Sequence, residues 1–172
     1  MKVRFTETDA VTTMEFLDDG ILAHVVNDQG VMGAGIALAI AKAWPKVNQS
    51  YIKLVDEKGP SETFGRVLFV PATEELIVAN MFAQKGLGIR DGQIPLQYDW
   101  LQSCLDKVFD HAIEQNKHIH IPRIGAGLAG GNWDKIWYMI LSTGYRKKYQ
   151  GELVLHQFVP KINKLDLGKF KL

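Results

Sequence analysis

The chain has 172 residues, of which 47% are hydrophobic, and its formal net charge at pH 7 is +1. This length suits one domain with a substantial core, and the near-neutral charge argues against a protein that holds nucleic acid through bulk charge. No apolar run reaches the roughly 20 residues that span a bilayer, the N-terminus shows no signal-peptide pattern, and a single cysteine excludes an internal disulfide. We therefore expect a soluble, cytoplasmic monomer with no membrane contact, cofactor or metal.

Hydrophobic periodicity predicts helices and strands that alternate along most of the chain. Strands are predicted at 3–8, 21–26, 66–71, 76–83, 118–122 and 152–158, and helices at 36–44, 48–58, 96–115 and 133–149. The short connection between the third and fourth strands indicates a hairpin. This order predicts an α/β fold, in which a mixed, mostly parallel sheet lies between two layers of helices and carries antiparallel strands at its edge.

The chain shows no internal linker, so we expect one domain over residues 1–160 followed by a basic tail over residues 161–172. The tail carries Lys161, Lys164, Lys169 and Lys171 among apolar residues. Such a tail either lies frayed or packed on the surface, or it forms a weak basic patch for a partner.

Two glycine-rich loops each follow a buried strand and precede a helix. The first glycine loop, residues 27–35, is NDQGVMGAG, and the second glycine loop, residues 123–131, is RIGAGLAGG. Such loops meet at the carboxyl ends of the strands in an open α/β sheet, where helix N-termini and exposed amides bind phosphate. Close packing can also require glycine, but two loops in one small domain favour a ligand with two phosphates. The G-x-G-x-x-G pattern at 125–130 comes too late in the chain for a dinucleotide-binding fold.

Three segments together resemble the macro domain family, whose members bind ADP-ribose. They are LAHVVNDQGVMGAGIALAIAKAWP at 22–45, VANMFAQKG at 78–86 and IPRIGAGLAGGNW at 121–133, and the resemblance extends over residues 3–158. It is strongest to the branch that holds the ADP-ribose 1″-phosphate phosphatases, the terminal ADP-ribose protein glycohydrolases and the antitoxins that remove ADP-ribose from DNA. The resemblance implies a macro-type domain whose partner is ADP-ribose or an ADP-ribosylated substrate, including protein or DNA.

The resemblance also assigns residues to each part of the ligand. Asp9, followed by Ala10, matches the acid that accepts a hydrogen bond from the adenine amino group, although a helix cap would equally explain it. Phe158 would contact the adenine or belong to the core, and Asn27 would contact the distal ribose or form a plain turn. The diphosphate loops and their flanks would supply Met32, Gly33, Ala34, Gly35, Ile36, Gln84, Arg123, Ile124, Gly125, Ala126, Gly127 and Leu128. Arg123 would either pair with an acid that fixes its loop or face phosphate directly.

The catalytic candidates are His24, Asn27, Asp28 and Lys85. His24 matches a histidine of the phosphatase-like members and would serve as an acid or base, although a histidine in an apolar strand is commonly a hydrogen-bonded core residue. Asp28 is a candidate general base or a solvated turn residue. In hydrolysis, Asn27 with Asp28 or Lys85 would position the water or the substrate.

One departure from the family concerns the hydrolase that acts on glutamate-linked ADP-ribose. That enzyme uses a lysine and an aspartate, and the matching positions here hold Gln84 and Ala129. The resemblance therefore leaves two functions open: a hydrolase that acts at the distal ribose, as a phosphatase or in de-ADP-ribosylation, and a module that binds ADP-ribose without turnover. A structural or nucleic-acid-binding protein would need a charge surplus or an aromatic patch, which the sequence does not show.

Overall fold

The computed structural model describes residues 1–158, and the tail predicted at 161–172 lies outside them. The strands are β1 Lys2–Thr6, β2 Gly20–Asn27, β3 Val67–Pro71, β4 Leu76–Gln84, β5 Ile119–Pro122 and β6 Glu152–His156. The helices are α1 Ala10–Leu17, α2 Gly35–Ala43, α3 Pro45–Lys58, α4 Pro60–Thr63, α5 Tyr98–Glu114 and α6 Trp133–Arg146.

The six strands form one sheet in the order β1-β6-β5-β2-β4-β3. All neighbouring pairs are parallel except β3 and β4, which pair antiparallel at one edge. The mixed, mostly parallel sheet and the hairpin are thus confirmed. Because the parallel strands point the same way, the loops that follow β1, β6, β5, β2 and β4 all emerge at one edge of the sheet.

Helices cover both faces of the sheet, which confirms the predicted three layers. Core side chains of α5 and α6, such as Leu105 and Ile140, pack with Ile21 of β2 on one face. Core side chains of α1 and α3, such as Met14 and Tyr51, pack with Leu22 on the other. The continuous apolar run of β2 is explained by this position, since its neighbouring residues alternate between two cores.

Two helices were not predicted from the periodicity, namely α1 and the four-residue α4. The α1 helix begins at Asp9, whose carboxylate Oδ1 accepts a hydrogen bond from the Thr12 amide at 2.8 Å, and ends at Asp18 in the left-handed region. Only eight residues long, it depends on this cap and on the burial of one face. Within residues 1–158, no helix is both long and apolar enough to cross a membrane.

Candidate ligand-binding site

A cavity of about 840 Å³ lies at the carboxyl ends of the parallel strands. Residues that end or follow β1, β6, β5, β2 and β4 line it, so it crosses five neighbouring strands. At ~4.8 Å between strands, this path is about 19 Å long. The cavity is therefore elongated and has two distinct ends, one at β1 and β6 and the other at β2 and β4.

The first glycine loop is held in place by a buried tyrosine. The Tyr51 hydroxyl lies 2.8 Å from the Asn27 carbonyl oxygen and 2.7 Å from its Oδ1, and it accepts a hydrogen bond from the Val31 amide at 3.2 Å. The Asn27 amide group closes the same turn by donating to the Val31 carbonyl at 2.7 Å. Burial raises the pKa of Tyr51, which keeps its hydroxyl protonated. These bonds fix the chain that leads into α2.

The start of α2 presents unpaired backbone amides to the cavity. Its N-cap residue, Ala34, provides no side-chain cap, and the first amide of the helix to find a carbonyl is that of Leu38. Within the described chain, the amides of Gly35, Ile36 and Ala37 have no hydrogen-bond acceptor. A helix start with free N–H groups and a partial positive charge is a binding site for an anion.

The second glycine loop owes most of its glycines to packing. Gly125 and Gly130 adopt positive φ angles of 68° and 71°. At Gly131, a Cβ atom would collide with the Leu96 side chain and lie 2.7 Å from the Gly125 carbonyl oxygen. Gly127 differs, because its φ is not positive and a Cβ atom there would meet nothing within 4 Å. Gly127 is also one of the residues that line the cavity.

This second loop also carries free amides. Gly130 donates to the Gly127 carbonyl at 3.0 Å and Gly131 to that of Gly125 at 2.8 Å, and these two bonds close the turn. The amides of residues 125–129 have no acceptor within residues 1–158. Two sets of unpaired donors, one on each side of the gap between β5 and β2, thus line a single cavity.

The β1 and β6 end of the cavity is lined by Asp9, His156 and Phe158. Asp9 is half-buried and supplies a carboxylate, and Phe158 is 51% exposed. A carboxylate beside an exposed aromatic ring can accept a hydrogen bond from a planar polar ring and pack against its face. This end is therefore chemically distinct from the amide-lined centre.

The family model of the macro domain matches residues 23–140, which includes both glycine loops and β4. The chain belongs to the macro domain family.

This macro domain is similar to two solved structures over almost the whole length of each. A Bacteroides thetaiotaomicron protein of unknown function is 30% identical, with a TM-score of 0.81 over 91% of this chain and 98% of that one. A macrodomain protein from Streptomyces coelicolor is 29% identical, with a TM-score of 0.72 over 91% and 99%. A curated relative, the ADP-ribose 1″-phosphate phosphatase of Saccharomyces cerevisiae, is 28% identical over 90 residues, which are 51% of this chain and 50% of the yeast protein.

Most of the residues expected to bind ligand line the cavity of this macro domain. They are Asp9, Ala10, Asn27, Gly33, Ala34, Gly35, Ile36, Gln84, Arg123, Ile124, Gly125, Gly127, Leu128 and Phe158. Met32 and Ala126 do not line it, because Met32 is buried in one core and Ala126 packs against the other. The sequence analysis did not predict eight further lining residues, namely Val25, Val31, Ala37, Ala39, Leu87, Pro122, Ala129 and His156.

The structure does not support the catalytic role predicted for His24. Its side chain is fully buried in β2, its Nε2 lies 2.7 Å from the Asn80 Oδ1, and it is not part of the cavity lining. Burial lowers the pKa of His24 to about 4, so the imidazole is neutral at physiological pH. The alternative, a hydrogen-bonded core histidine, describes this residue.

Asp28 and Lys85 also lie outside the cavity lining. Asp28 is buried, and its Oδ1 accepts hydrogen bonds from the Gly86 amide at 2.8 Å and from the Gln29 side chain at 2.9 Å. It therefore ties the first glycine loop to the loop after β4, rather than forming the solvated turn that was one alternative. Lys85 is exposed, and its backbone amide pairs with the Pro95 carbonyl. Of the four catalytic candidates, Asn27 alone lines the cavity.

Arg123 lines the cavity without a carboxylate partner among residues 1–158. Its guanidinium instead lies over the Trp133 ring, 5.1 Å from the ring centroid. A cation–π contact restrains the side chain and leaves its charge uncompensated. The alternative in which an acid pairs with Arg123 is thus not observed, and its charge is available to an anion.

Proposed function

We propose that this macro domain binds ADP-ribose and hydrolyses a bond at the distal ribose of ADP-ribose 1″-phosphate or of an ADP-ribosylated protein or DNA. The observation that carries the proposal is that two stretches with unpaired amides, residues 35–37 at the start of α2 and residues 125 and 127–129 of the second glycine loop, line a single cavity. A diphosphate is the anion whose size and charge suit two such sets at once.

The two ends of the cavity suit the two ends of ADP-ribose. Adenine, a planar ring with an exocyclic amino donor, fits the end where Asp9 and Phe158 lie. The distal ribose would then occupy the opposite end, beside Asn27, Gln84 and Leu87. Arg123 would add its free positive charge between them, near the phosphates.

Hydrolysis would rest on Asn27 and on the backbone. The Asn27 Nδ2 donates one N–H to Val31, and its second N–H has no acceptor among the described residues. In the reaction a water molecule would add to the distal centre, the bond to the leaving group would break, and a water proton would pass to the leaving atom, which is an oxygen in an ester and a nitrogen in a nucleobase adduct. The free amides would bind the diphosphate and so hold the distal ribose beside Asn27. The similarity to the yeast phosphatase supports this chemistry.

A second candidate function, binding without turnover, is favoured by one observation. His24, Asp28 and Lys85, the titratable catalytic candidates, do not line the cavity. A binding module needs the amides, Asp9 and Phe158, but no proton donor or acceptor at the distal ribose.

Calorimetric titration with ADP-ribose and AMP tests the binding proposal. ADP-ribose should bind at least about tenfold more tightly than AMP, because AMP supplies one phosphate to two sets of donors. Equal affinities, or no binding of ADP-ribose, would contradict it.

Three parallel incubations separate the hydrolase from the binding module. ADP-ribose 1″-phosphate, an ADP-ribosylated protein and an ADP-ribosylated oligonucleotide are offered to the protein, and the released group is detected in each. An Asn27→Ala variant should lose more turnover than affinity. Tyr51→Phe is its matched control, because it weakens the same turn and keeps the Asn27 amide. Tight binding of ADP-ribose with none of the three substrates cleaved would favour the binding module.

A further inference from the structure

A chain of hydrogen bonds runs from the core of the sheet to the β1 and β6 end of the cavity. The His120 Nδ1 lies 3.0 Å from the His156 Nε2, between neighbouring strands β5 and β6. The His156 Nδ1 in turn lies 3.3 Å from the Thr8 carbonyl oxygen, and 3.4 Å from the Thr8 hydroxyl. Both imidazoles are almost fully buried, at 4% and 2% exposure, and His156 lines the cavity.

The hydrogen bond to the Thr8 carbonyl fixes which group donates in this series of hydrogen bonds. Burial is the main cause that lowers both pKa values, to about 4 for His120, so each ring is neutral at pH 7. A carbonyl oxygen accepts and never donates, so a hydrogen bond from His156 to the Thr8 carbonyl requires the proton on Nδ1, whereas the Thr8 hydroxyl can pair with either tautomer. In the tautomer that the carbonyl requires, the His156 Nε2 is a bare acceptor and the His120 Nδ1–H donates to it.

This series of hydrogen bonds ends at the peptide group that joins Thr8 to Asp9. The Thr8 carbonyl belongs to the planar peptide group that joins Thr8 to Asp9, so the imidazole restrains the orientation of that group. From the helix side, the Thr13 hydroxyl donates to the Asp9 carbonyl at 2.6 Å. The Asp9 Oδ1 caps α1 through the Thr12 amide, whereas its Oδ2 has no donor among residues 1–158.

We propose that His156, backed by His120, is a positioning residue for recognition of the nucleobase. Its hydrogen bond to the Thr8 carbonyl holds Asp9 so that the free Oδ2 accepts a hydrogen bond from an exocyclic amino group. The inference rests on the proposed function and extends it to base selectivity. Hypoxanthine carries a carbonyl oxygen where adenine carries the amino group, and this oxygen would face the Asp9 carboxylate as acceptor against acceptor.

Calorimetry with ADP-ribose and inosine diphosphate ribose tests the proposal. The wild-type protein should favour ADP-ribose by about tenfold or more, because the base contributes one charge-assisted hydrogen bond. His156→Phe removes the donor to Thr8 and should lower this preference to about threefold or less, with little change for the inosine ligand. His156→Asn should restore much of the preference, since its amide nitrogen takes the place of Nδ1.

Asp9→Asn serves as the positive control, because an amide can serve either base and should erase the preference. If His156→Phe weakens both ligands equally, or leaves the preference unchanged, the positioning role is wrong. If the wild-type protein binds neither ligand, the proposed function itself has failed, and the two failures are thus distinguishable.

A measurement on the wild-type protein does not depend on the folding of a variant. Nitrogen-15 chemical shifts of the imidazole rings report which nitrogen carries the proton. The proposal requires a protonated Nδ1 and a bare Nε2 on His156 at pH 7. The opposite tautomer would overturn it, because that ring could not donate to the Thr8 carbonyl.

Discussion

The two glycine loops look alike in sequence, but they present their amides to the cavity in different ways. In the first, the free donors belong to the uncapped start of α2, and the chain before them is held by the Tyr51 hydroxyl. In the second, a turn closed by its own backbone bonds leaves five successive amides free, and three of its glycines are required by backbone angle or packing. Glycine content alone therefore does not reveal which positions face a ligand. At Gly127, neither the backbone angle nor packing requires glycine, which leaves space for a ligand as the reason.

The largest expected effect is on binding by a Gly127→Val variant. The added side chain would enter open space in the cavity, so the affinity for ADP-ribose should fall by at least about 100-fold. Because that space is empty of protein, the free energy of unfolding should stay within about 1 kcal/mol of the wild type. Calorimetry and urea denaturation measure the two quantities. Gly88→Val is the matched control, since its surroundings are equally open and it does not line the cavity. Wild-type affinity in Gly127→Val would remove the second glycine loop from the binding site.

For a Gly131→Ala variant, we expect the main effect to be on stability, with the free energy of unfolding lower by about 2 kcal/mol. Its Cβ atom would collide with Leu96 and approach the Gly125 carbonyl oxygen, so the turn must shift. Gly127→Ala, four residues earlier, adds the same methyl group in open space and should leave the urea midpoint almost unchanged. Equal destabilisation of the two variants would show that packing explains Gly127 as well.

The smallest effect is expected where each loop is anchored by a tyrosine hydroxyl. Tyr51→Phe removes the group that bonds Asn27 and Val31, and should cost about 1 kcal/mol of unfolding free energy and weaken ADP-ribose binding about threefold. Tyr98→Phe removes one bond, from the Asn132 amide at the end of the second loop. Its effect should be smaller, because the second loop is closed by its own backbone bonds. A larger loss of unfolding free energy in Tyr98→Phe than in Tyr51→Phe would show that the second loop depends more on its tyrosine than the first loop does.

Local pattern was sufficient for the main elements of the fold. Alternation predicted β1, a continuous apolar run predicted β2, and Pro45 separated α2 from α3 as expected. The α1 helix was not predicted, because eight residues contain too few turns to show a hydrophobic period and because its start depends on the Asp9 cap. The order β1-β6-β5-β2-β4-β3 could not be predicted from periodicity, because strand neighbours are chosen by long-range packing.

The candidate site also has parts that the sequence predicted and parts that it could not. Both glycine loops were recognisable as segments that follow buried strands, and they do line one cavity. The pattern could not reveal that His24 points into a core, since both faces of β2 are buried. It also gave no sign that the Asp28 carboxylate is occupied by the Gly86 amide, 58 residues later.

The sequence by itself determined that this is an α/β domain of the macro family type, with glycine-rich segments at two strand exits. These properties depend on residues close together in the chain, where side-chain period, proline and glycine act directly on the backbone. Only the tertiary structure decided which glycine borders empty space, and that His156 reaches Thr8 across 148 positions of sequence. Such contacts arise when the sheet assembles, because hydrogen bonds between distant segments follow from strand order and register and not from local preference.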